Sequence, residues 1–360
     1  MFTERTSVGL DVHARSIRGC GIDTVTGEVF EQALVPGDGY RPVLEWLVRL
    51  PGPVAVVYEA GPTGFGLARA LHGAGLRCVV AAPSKIVRPA GDRVKTDVRD
   101  ARLLARLLRM DEVVPVVVPT AEQEAARDLV RLRADNRGDL MAARHRLSKL
   151  LLRHGHVYGA KAWTRAHEQW MGQVVFGARA TQVAFDESFE LVKQLEARRD
   201  RLDAHIGEVA AASSYQVVVD RLCCLRGIAV LTGFSLAVEV GDWARFCGSS
   251  VGAFLGLVPT EHSSGTSRRQ GKITKAGNTH ARRLLVEAAW HHKRRYVVSQ
   301  DLRRRWDQVP AAVRVRADAG NRRLHQRWVQ LDRRGKNTSA GCVAVARELA
   351  GWCWSLATLP

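Results

Sequence analysis

The chain has no apolar run near the ~20 residues needed to span a bilayer, no signal-peptide pattern and no lipidation motif. These absences lead us to expect a soluble, intracellular protein rather than a membrane-bound one. Its seven cysteines (Cys20, Cys78, Cys223, Cys224, Cys247, Cys342 and Cys353) form no C-x-x-C pair and no regular disulfide framework. Reduced, mostly structural thiols and no zinc site are expected. No internal repeat or low-complexity linker is present. The glycine-rich GPTGFG of residues 61–66 lacks the Gly-Lys-Ser/Thr ending of a nucleotide-binding P-loop and reads as a strand-to-helix turn.

Acidic residues are in deficit. There are 54 Lys and Arg against 36 Asp and Glu, a formal net charge of +18 over 360 residues. Between Ser267 and Lys336 stand 20 basic and 5 acidic residues, so this stretch alone carries +15 of the excess. Charge concentrated in this way points to a polyanionic partner, and nucleic acid is the natural one.

Apolar residues make up 46% of the chain, enough for a full core and for two or three domains. Residues 7–22 and 28–35 read as successive antiparallel strands, followed by a helix over 40–50, a buried strand over 54–58, a helix over about 65–74 and a strand over 77–82. A β-hairpin followed by alternating helices and strands predicts a mixed sheet covered by helices, which fits a ribonuclease-H-like nuclease core over 1–119. From 120 to 215 the pattern becomes long and helical, with breaks expected at Gly138, Gly155 and Gly159. We expect antiparallel or coiled-coil helices there, forming an arm suited to dimerisation. Residues 216–360 read as mainly helical, including Leu225 to Ile228 and Trp243 to Phe246, with a loop from Gly256 to Asn278 and a helix from His280 to Arg295. The expected fold class is therefore α/β plus all-α.

Four acids suggest chemistry. Asp11 in SVGLDVH and Glu59 in VAVVYEAG each end a short apolar run, where a carboxylate has little structural reason to be. Asp97 and Asp100 in KTDVRDA lie about 60° apart around a helix axis and share a face with Ala101, Leu104 and Leu108, which predicts that both point toward the core side. Carboxylates so directed are costly without a cation, and Mg²⁺ takes hard oxygen ligands from carboxylates and phosphate. Four acids in sheet, sheet, helix and helix positions suit a two-metal phosphoryl-transfer site. The structural alternative makes Asp97 a helix N-cap and Asp100 a favourable charge in the first turn.

A second constellation lies in the basic loop. Ser263, Ser264 and Gly265 precede Arg268, Arg269, Lys272 and Lys275, with Arg282 and Arg283 near the start of the next helix. Hydroxyls beside such cations would bind phosphate or supply a nucleophile to a phosphodiester; a flexible Ser/Gly turn is the alternative. Two other patterns carry less. Residues 248–252 satisfy G-x-S-x-G, but a nucleophile elbow needs a strand before it and a helix after it. His291 and His292 are assigned to the basic helix face.

Together GLDVH, YEAGPTG, KTDVRDA and the distal GLVP, SSG, GKITKAGN and HARRLL run resemble the DEDD transposases of bacterial insertion sequences, the bridge-RNA-guided recombinases, in order and approximate spacing over nearly the whole chain. The resemblance implies a RuvC-like domain whose tetrad Asp11, Glu59, Asp97 and Asp100 binds Mg²⁺. It also implies a C-terminal transposase domain with Ser264 as nucleophile, acting through a covalent phosphoserine link that needs no ATP. Donor and target DNA and a structured noncoding guide RNA are the implied partners, and the implied setting is the bacterial cytoplasm, at the nucleoid. Exchange of strands between two DNA molecules takes several cleavages, so a homo-oligomer, dimer or tetramer, is expected. The chain departs from the pattern in its doubled serine and in the Gly227 region, where Ala229 stands at the usual second glycine. Two other readings use the same residues: a metal-dependent junction or flap nuclease acting by hydrolysis, and a non-catalytic nucleic-acid-binding protein.

Overall fold

The structure, a computed structural model, describes residues 3–87, 96–264, 266–267 and 269–360. The chain divides into two compact units, residues 1–120 and 121–360.

In the first unit three antiparallel strands, β1 (Thr6–Val12), β2 (Ile17–Asp23) and β3 (Val29–Leu34), are followed by α1 (Arg41–Val48), β4 (Val54–Glu59), α2 (Gly66–Gly73), β5 (Arg77–Ala81), α3 (Asp97–Arg109) and the short β6 (Pro115–Val116). The sheet order is β3-β2-β1-β4-β5-β6, with β4 parallel to β1 and β5 parallel to β4. Residues 7–22, expected as one strand, are two: the backbone reverses over 13–16, where His13 N donates to Ser16 O at 2.9 Å. No Gly, Pro or Asn marks that turn.

Both faces of the sheet are covered, which explains the nearly continuous apolar runs of β1 and β4. Val8, Leu10, Val56 and Tyr58 face Val43 and Leu47 of α1 and Leu67 and Leu71 of α2. The opposite face sets Ala55, Val57 and Ala81 against Leu104 and Leu108 of α3, with Cys20 and Ile22 against Ala101 and Ala105. Gly9 brings α3 this close. A Cβ there would lie 2.0 Å from the Ala101 carbonyl oxygen and 2.5 Å from the Ala105 nitrogen. This is the expected mixed α/β sheet of ribonuclease-H type.

The second unit begins with α4 (Ala121–Arg153), α5 (Arg165–Met171) and α6 (Arg179–Ala212). Helices α4 and α6 are antiparallel: Ser214 donates to Glu122, Arg133 pairs with Asp203, Asn136 bonds the Leu195 carbonyl and Arg144 pairs with Glu196. Helix α4 runs unbroken through Gly138, contrary to the sequence expectation. One helical glycine costs only about 1 kcal/mol, and Leu140, Ala143 and Leu147 on the same turns are buried against Phe185 and Val192. Gly155, at φ 79, does end it.

The remaining elements are α7 (Gln216–Leu222), α8 (Val230–Val240), α9 (Ser250–Phe254), β7 (Pro259–Glu261), β8 (Gln270–Ile273), α10 (Thr279–Trp290), α11 (Gln300–Trp306), α12 (Ala311–Arg333) and α13 (Thr338–Ala357). Their largest core gathers Leu225, Leu285, Ala289, Leu324, Trp328 and Leu349. The root of the α4–α6 hairpin joins α7 and α8 through Val130, Ile206, Val219 and Phe234. Four local expectations are corrected. Leu225 to Ile228 is not helical, Trp243 to Phe246 is not helical, the 256–278 segment contains an antiparallel two-stranded ribbon, and α10 stops at Trp290 rather than Arg295. His292 is not on a basic surface either: it is fully buried, and burial pushes its imidazole down to about 3. All seven cysteines are free and only Cys247 is exposed.

Candidate active site

The acids in the first unit gather at one end of the sheet. Leu10 pairs with Tyr58 in the parallel β1–β4 ladder, and one residue further along each strand stand Asp11 and Glu59. Side chains alternate faces along a strand, so Asp11 follows Gly9 and Glu59 follows Val57 toward the side covered by α3. Helix α3 begins with Thr96 as its N-cap, whose hydroxyl accepts from Arg99 N at 3.4 Å. Asp97 is therefore not the cap. It is the first helical residue, with Asp100 in the same turn.

The burial expected of this pair is also corrected. Asp97 is exposed, its side chain 56% accessible, and Asp100 is half-buried. Both sit on the sheet-facing stripe, but the helix starts beyond the ends of the strands, so its first turn overhangs the sheet rim beside Asp11. Among the described residues, Asp97 at this rim is exposed, and Asp11 and Asp100 are half-buried.

A residue that sequence reasoning left without a role completes the cluster. His13 Nε2 lies 3.3 Å from Asp11 Oδ2 and 3.9 Å from Asp97 Oδ1. Single ligand atoms of Asp11, His13 and Asp97 all fall within 4.8 Å of one another, the one such metal-ligating group among the described residues. The histidine was present in the GLDVH motif, two residues after Asp11. Nothing in a strand pattern showed that the chain would turn there and leave its ring beside the acids.

The electrostatics agree with a cation site. Burial pushes the Asp11 carboxyl above its ordinary range, and the nearby Asp97 and Asp100 charges push it further, against the opposing pull of His13. A divalent cation would relieve this crowding at Asp11, and carboxylate oxygens are suitable donors to it.

In the second unit Ser264 lies in the reversal between β7 and β8, where Ser264 and Ser267 bridge through N–H···O bonds of 3.1 and 3.0 Å. The two adjacent serines differ in their contacts. Ser263 donates its hydroxyl to Glu261 Oε1 at 2.9 Å, while the exposed Ser264 hydroxyl makes no hydrogen bond among the described residues. Arg269, Lys272 and Lys275 are exposed on the same segment; Arg268 lies outside the described residues. Arg282 and Arg283 are engaged internally. Arg282 Nη1 donates to the Leu255 and Ala276 carbonyls at 2.9 and 2.8 Å, fastening the base of the segment, and Arg283 pairs with Glu287.

What holds that segment is a buried carboxylate that sequence reasoning missed. Glu239 of α8 accepts both Arg131 guanidinium bonds from α4 at 2.9 Å, accepts from Asn278 Nδ2 at 2.6 Å, and lies 3.1 Å from His280 Nδ1. Burial pushes its carboxyl up, but the bonds from His280, Arg131 and Asn278 outweigh this and hold it down at about 2. Asn278 also caps α10 through Ala281 N. The available signal was a lone acid inside the apolar run FSLAVEV.

A ribonuclease-H-like sheet with acids at its strand ends and at a following helix start defines a class of metal-dependent phosphoryl-transfer proteins, and comparison with known sequences narrows it. Residues 8–155 match the DEDD transposase model of IS110 elements, and residues 219–305 match the family described as "Transposase IS116/IS110/IS902 family". The chain is 40% identical over 302 residues to "Putative transposase y4qE" of Sinorhizobium fredii, covering 83% of this chain and 74% of the relative. It is 31% identical over 340 residues to the transposase for insertion sequence element IS1533 of Leptospira borgpetersenii, covering 91% of this chain and 97% of the relative. The chain belongs to the IS110 family of DEDD insertion-sequence transposases, enzymes that cut and rejoin DNA. The family suggests dependence on a divalent metal, which suits the Asp11–Asp97 cluster.

Proposed function

We propose that this transposase excises and inserts its element by serine-mediated strand transfer, guided by a structured noncoding RNA. Asp11, Glu59, Asp97 and Asp100 hold Mg²⁺, which when bound stabilises charge on the phosphodiester. The observation that carries the nucleophile's assignment is the contrast between the two serines: Ser263 is engaged by Glu261 and Ser264 is not. Ser264 Oγ attacks phosphorus and gives up its proton, the P–O bond to a sugar oxygen breaks, and that oxygen leaves protonated as a hydroxyl. A hydroxyl of the partner strand then attacks the phosphoserine and releases the serine, so the phosphoester bond is conserved throughout.

The concentration of +15 between Ser267 and Lys336 supports contact with DNA and RNA backbones, through Arg268, Arg269, Lys272 and Lys275 first of all. We assign Arg282 and Arg283 a supporting part in that surface, one bracing the loop and the other flanking it. The functional division follows 1–119 for the acids, 120–215 for the arm and 216–360 for the serine and basic surface. A dimer or tetramer working at the bacterial nucleoid is part of the same reading.

The test is recombination of a donor and a target plasmid in the presence of the element's flanking RNA. Folded Asp97→Asn and Ser264→Ala variants are expected to lose recombination by at least ~100-fold, in line with removal of a catalytic group. Retention of activity in either one defeats the corresponding assignment.

A further inference from the structure

The G-x-S-x-G stretch of residues 248–252, unused by the chemistry above, forms one wall of a cleft in the second unit. The cleft has a volume of about 450 Å³, and its other walls come from α12 and α13. Three guanidinium groups (Arg316, Arg327 and Arg347) and two indoles (Trp352 and Trp354) line it, with Glu348 as its one carboxylate.

The charges do not cancel. Glu348 pairs with Arg323 at 2.8 Å and stands 3.8 Å from Arg327, whereas Arg316 and Arg347 make no ion pair among the described residues. Arg316 instead lies over the Trp352 ring, 4.6 Å from its centroid, and donates to Ser355 Oγ at 2.8 Å. The Trp354 N–H is satisfied by the Phe246 carbonyl at 2.8 Å, which fixes that ring at the cleft wall. Gly248 and Gly252 keep the space open. A Cβ on Gly248 would lie 3.4 Å from the Trp354 ring, and one on Gly252 would lie 3.1 Å from Arg347 Cγ.

We propose that this cleft binds one unpaired nucleotide of a single-stranded nucleic acid, with its phosphate on Arg316 and Arg347 and its base against the Trp352–Trp354 wall. Guanidinium groups match phosphate oxygens in a fixed fork geometry. Indoles and stacked guanidinium planes accept the face of any base. The volume is that of a site for one small molecule, so a splayed base enters and a base stacked and paired in a duplex does not. The strand-transfer chemistry is not required for this proposal, because the cleft would bind a strand whether or not Ser264 is the nucleophile.

The test uses the full-length protein with oligo(U), oligo(dT), a duplex hairpin and UMP alone, reading affinity together with the positions of ultraviolet-induced cross-links by mass spectrometry. Ser249→Glu and Arg347→Glu alter side chains lining the cleft, and unchanged melting curves verify that both fold. We expect adducts of the single strands on Trp352 or Trp354, an affinity lower by about ten-fold in each variant, and duplex binding changed far less. Adducts with RNA only identify the occupant as a guide nucleotide; adducts with DNA only identify it as a displaced strand. Adducts confined to residues 256–278, an equal loss for duplex, or single-strand affinity unchanged in both variants would overturn the proposal.

Discussion

The Asp11 carboxyl, at the rim of the sheet beside two other acids, binds its proton more tightly in the folded chain than in the unfolded one, whose ordinary value is 3.8. As pH rises from 3.8 through the raised value, the folded state loses more bound protons than the unfolded one, so stability falls and stays lowered at neutral pH. Metal-free Asp11→Asn is therefore expected to melt above the wild type at pH 7, with the difference closing below pH 3.8. Added Mg²⁺ should raise the wild-type melting temperature and leave the variant unmoved. An Asn variant that melts lower at pH 7 would show that Asp11 is held by a stabilising contact instead. Asp11 and Glu59 were legible in the sequence because a carboxylate ending an apolar strand has few structural uses. His13 was not, because its place beside Asp11 depends on a chain reversal with no glycine or proline to announce it.

Two elements are fixed by single residues. Gly9→Ala would set a methyl group 2.0 Å from the Ala101 carbonyl oxygen and force α3 off β1. Overpacking of this kind costs about 1–3 kcal/mol, and the shift would carry Asp97 and Asp100 away from Asp11. Calorimetry should find the loss of stability, and a Mg²⁺ titration the weaker binding. Glu239 ties α4 and α8 to the start of α10. Replacing it by Gln takes the charge partner from Arg131. The loss should stay below the roughly 3–5 kcal/mol of a fully buried pair, because the Arg131 side chain is half-exposed. The depressed Glu239 value means the stabilisation is complete above the ordinary 4.5 and disappears as pH falls from there toward about 2. Acid unfolding curves of wild type and Glu239→Gln should converge over that window. The α/β order was readable because hydrophobic periodicity records packing on a sheet, and the β7–β8 ribbon was hidden because its strands have only 3 and 4 residues, with no apolar alternation. Helix α4 passed through Gly138 because the packing of α4 on α6 outweighs one residue's preference.

Across the whole molecule the charge of +18 makes association with nucleic acid strongly salt-dependent. Replacing Arg269, Lys272 or Lys275 by Ala should flatten the dependence of log affinity on log salt by about one unit for each phosphate left without its cation, whereas Arg283→Ala, paired with Glu287, should change it less. Concentration of the charge was plain in the sequence. Which arginines face outward was not, since Arg282 and Arg131 are bound to partners that only the fold supplies. The central claim is that a serine carries the broken strand, and the direct measurement is a denaturing gel of protein incubated with labelled donor DNA, flanking RNA and Mg²⁺. The account predicts a protein-linked DNA band in the wild type that disappears in Ser264→Ala and persists in Ser263→Ala. Free cleaved ends without any protein-linked band would contradict it and leave a metal-dependent hydrolase.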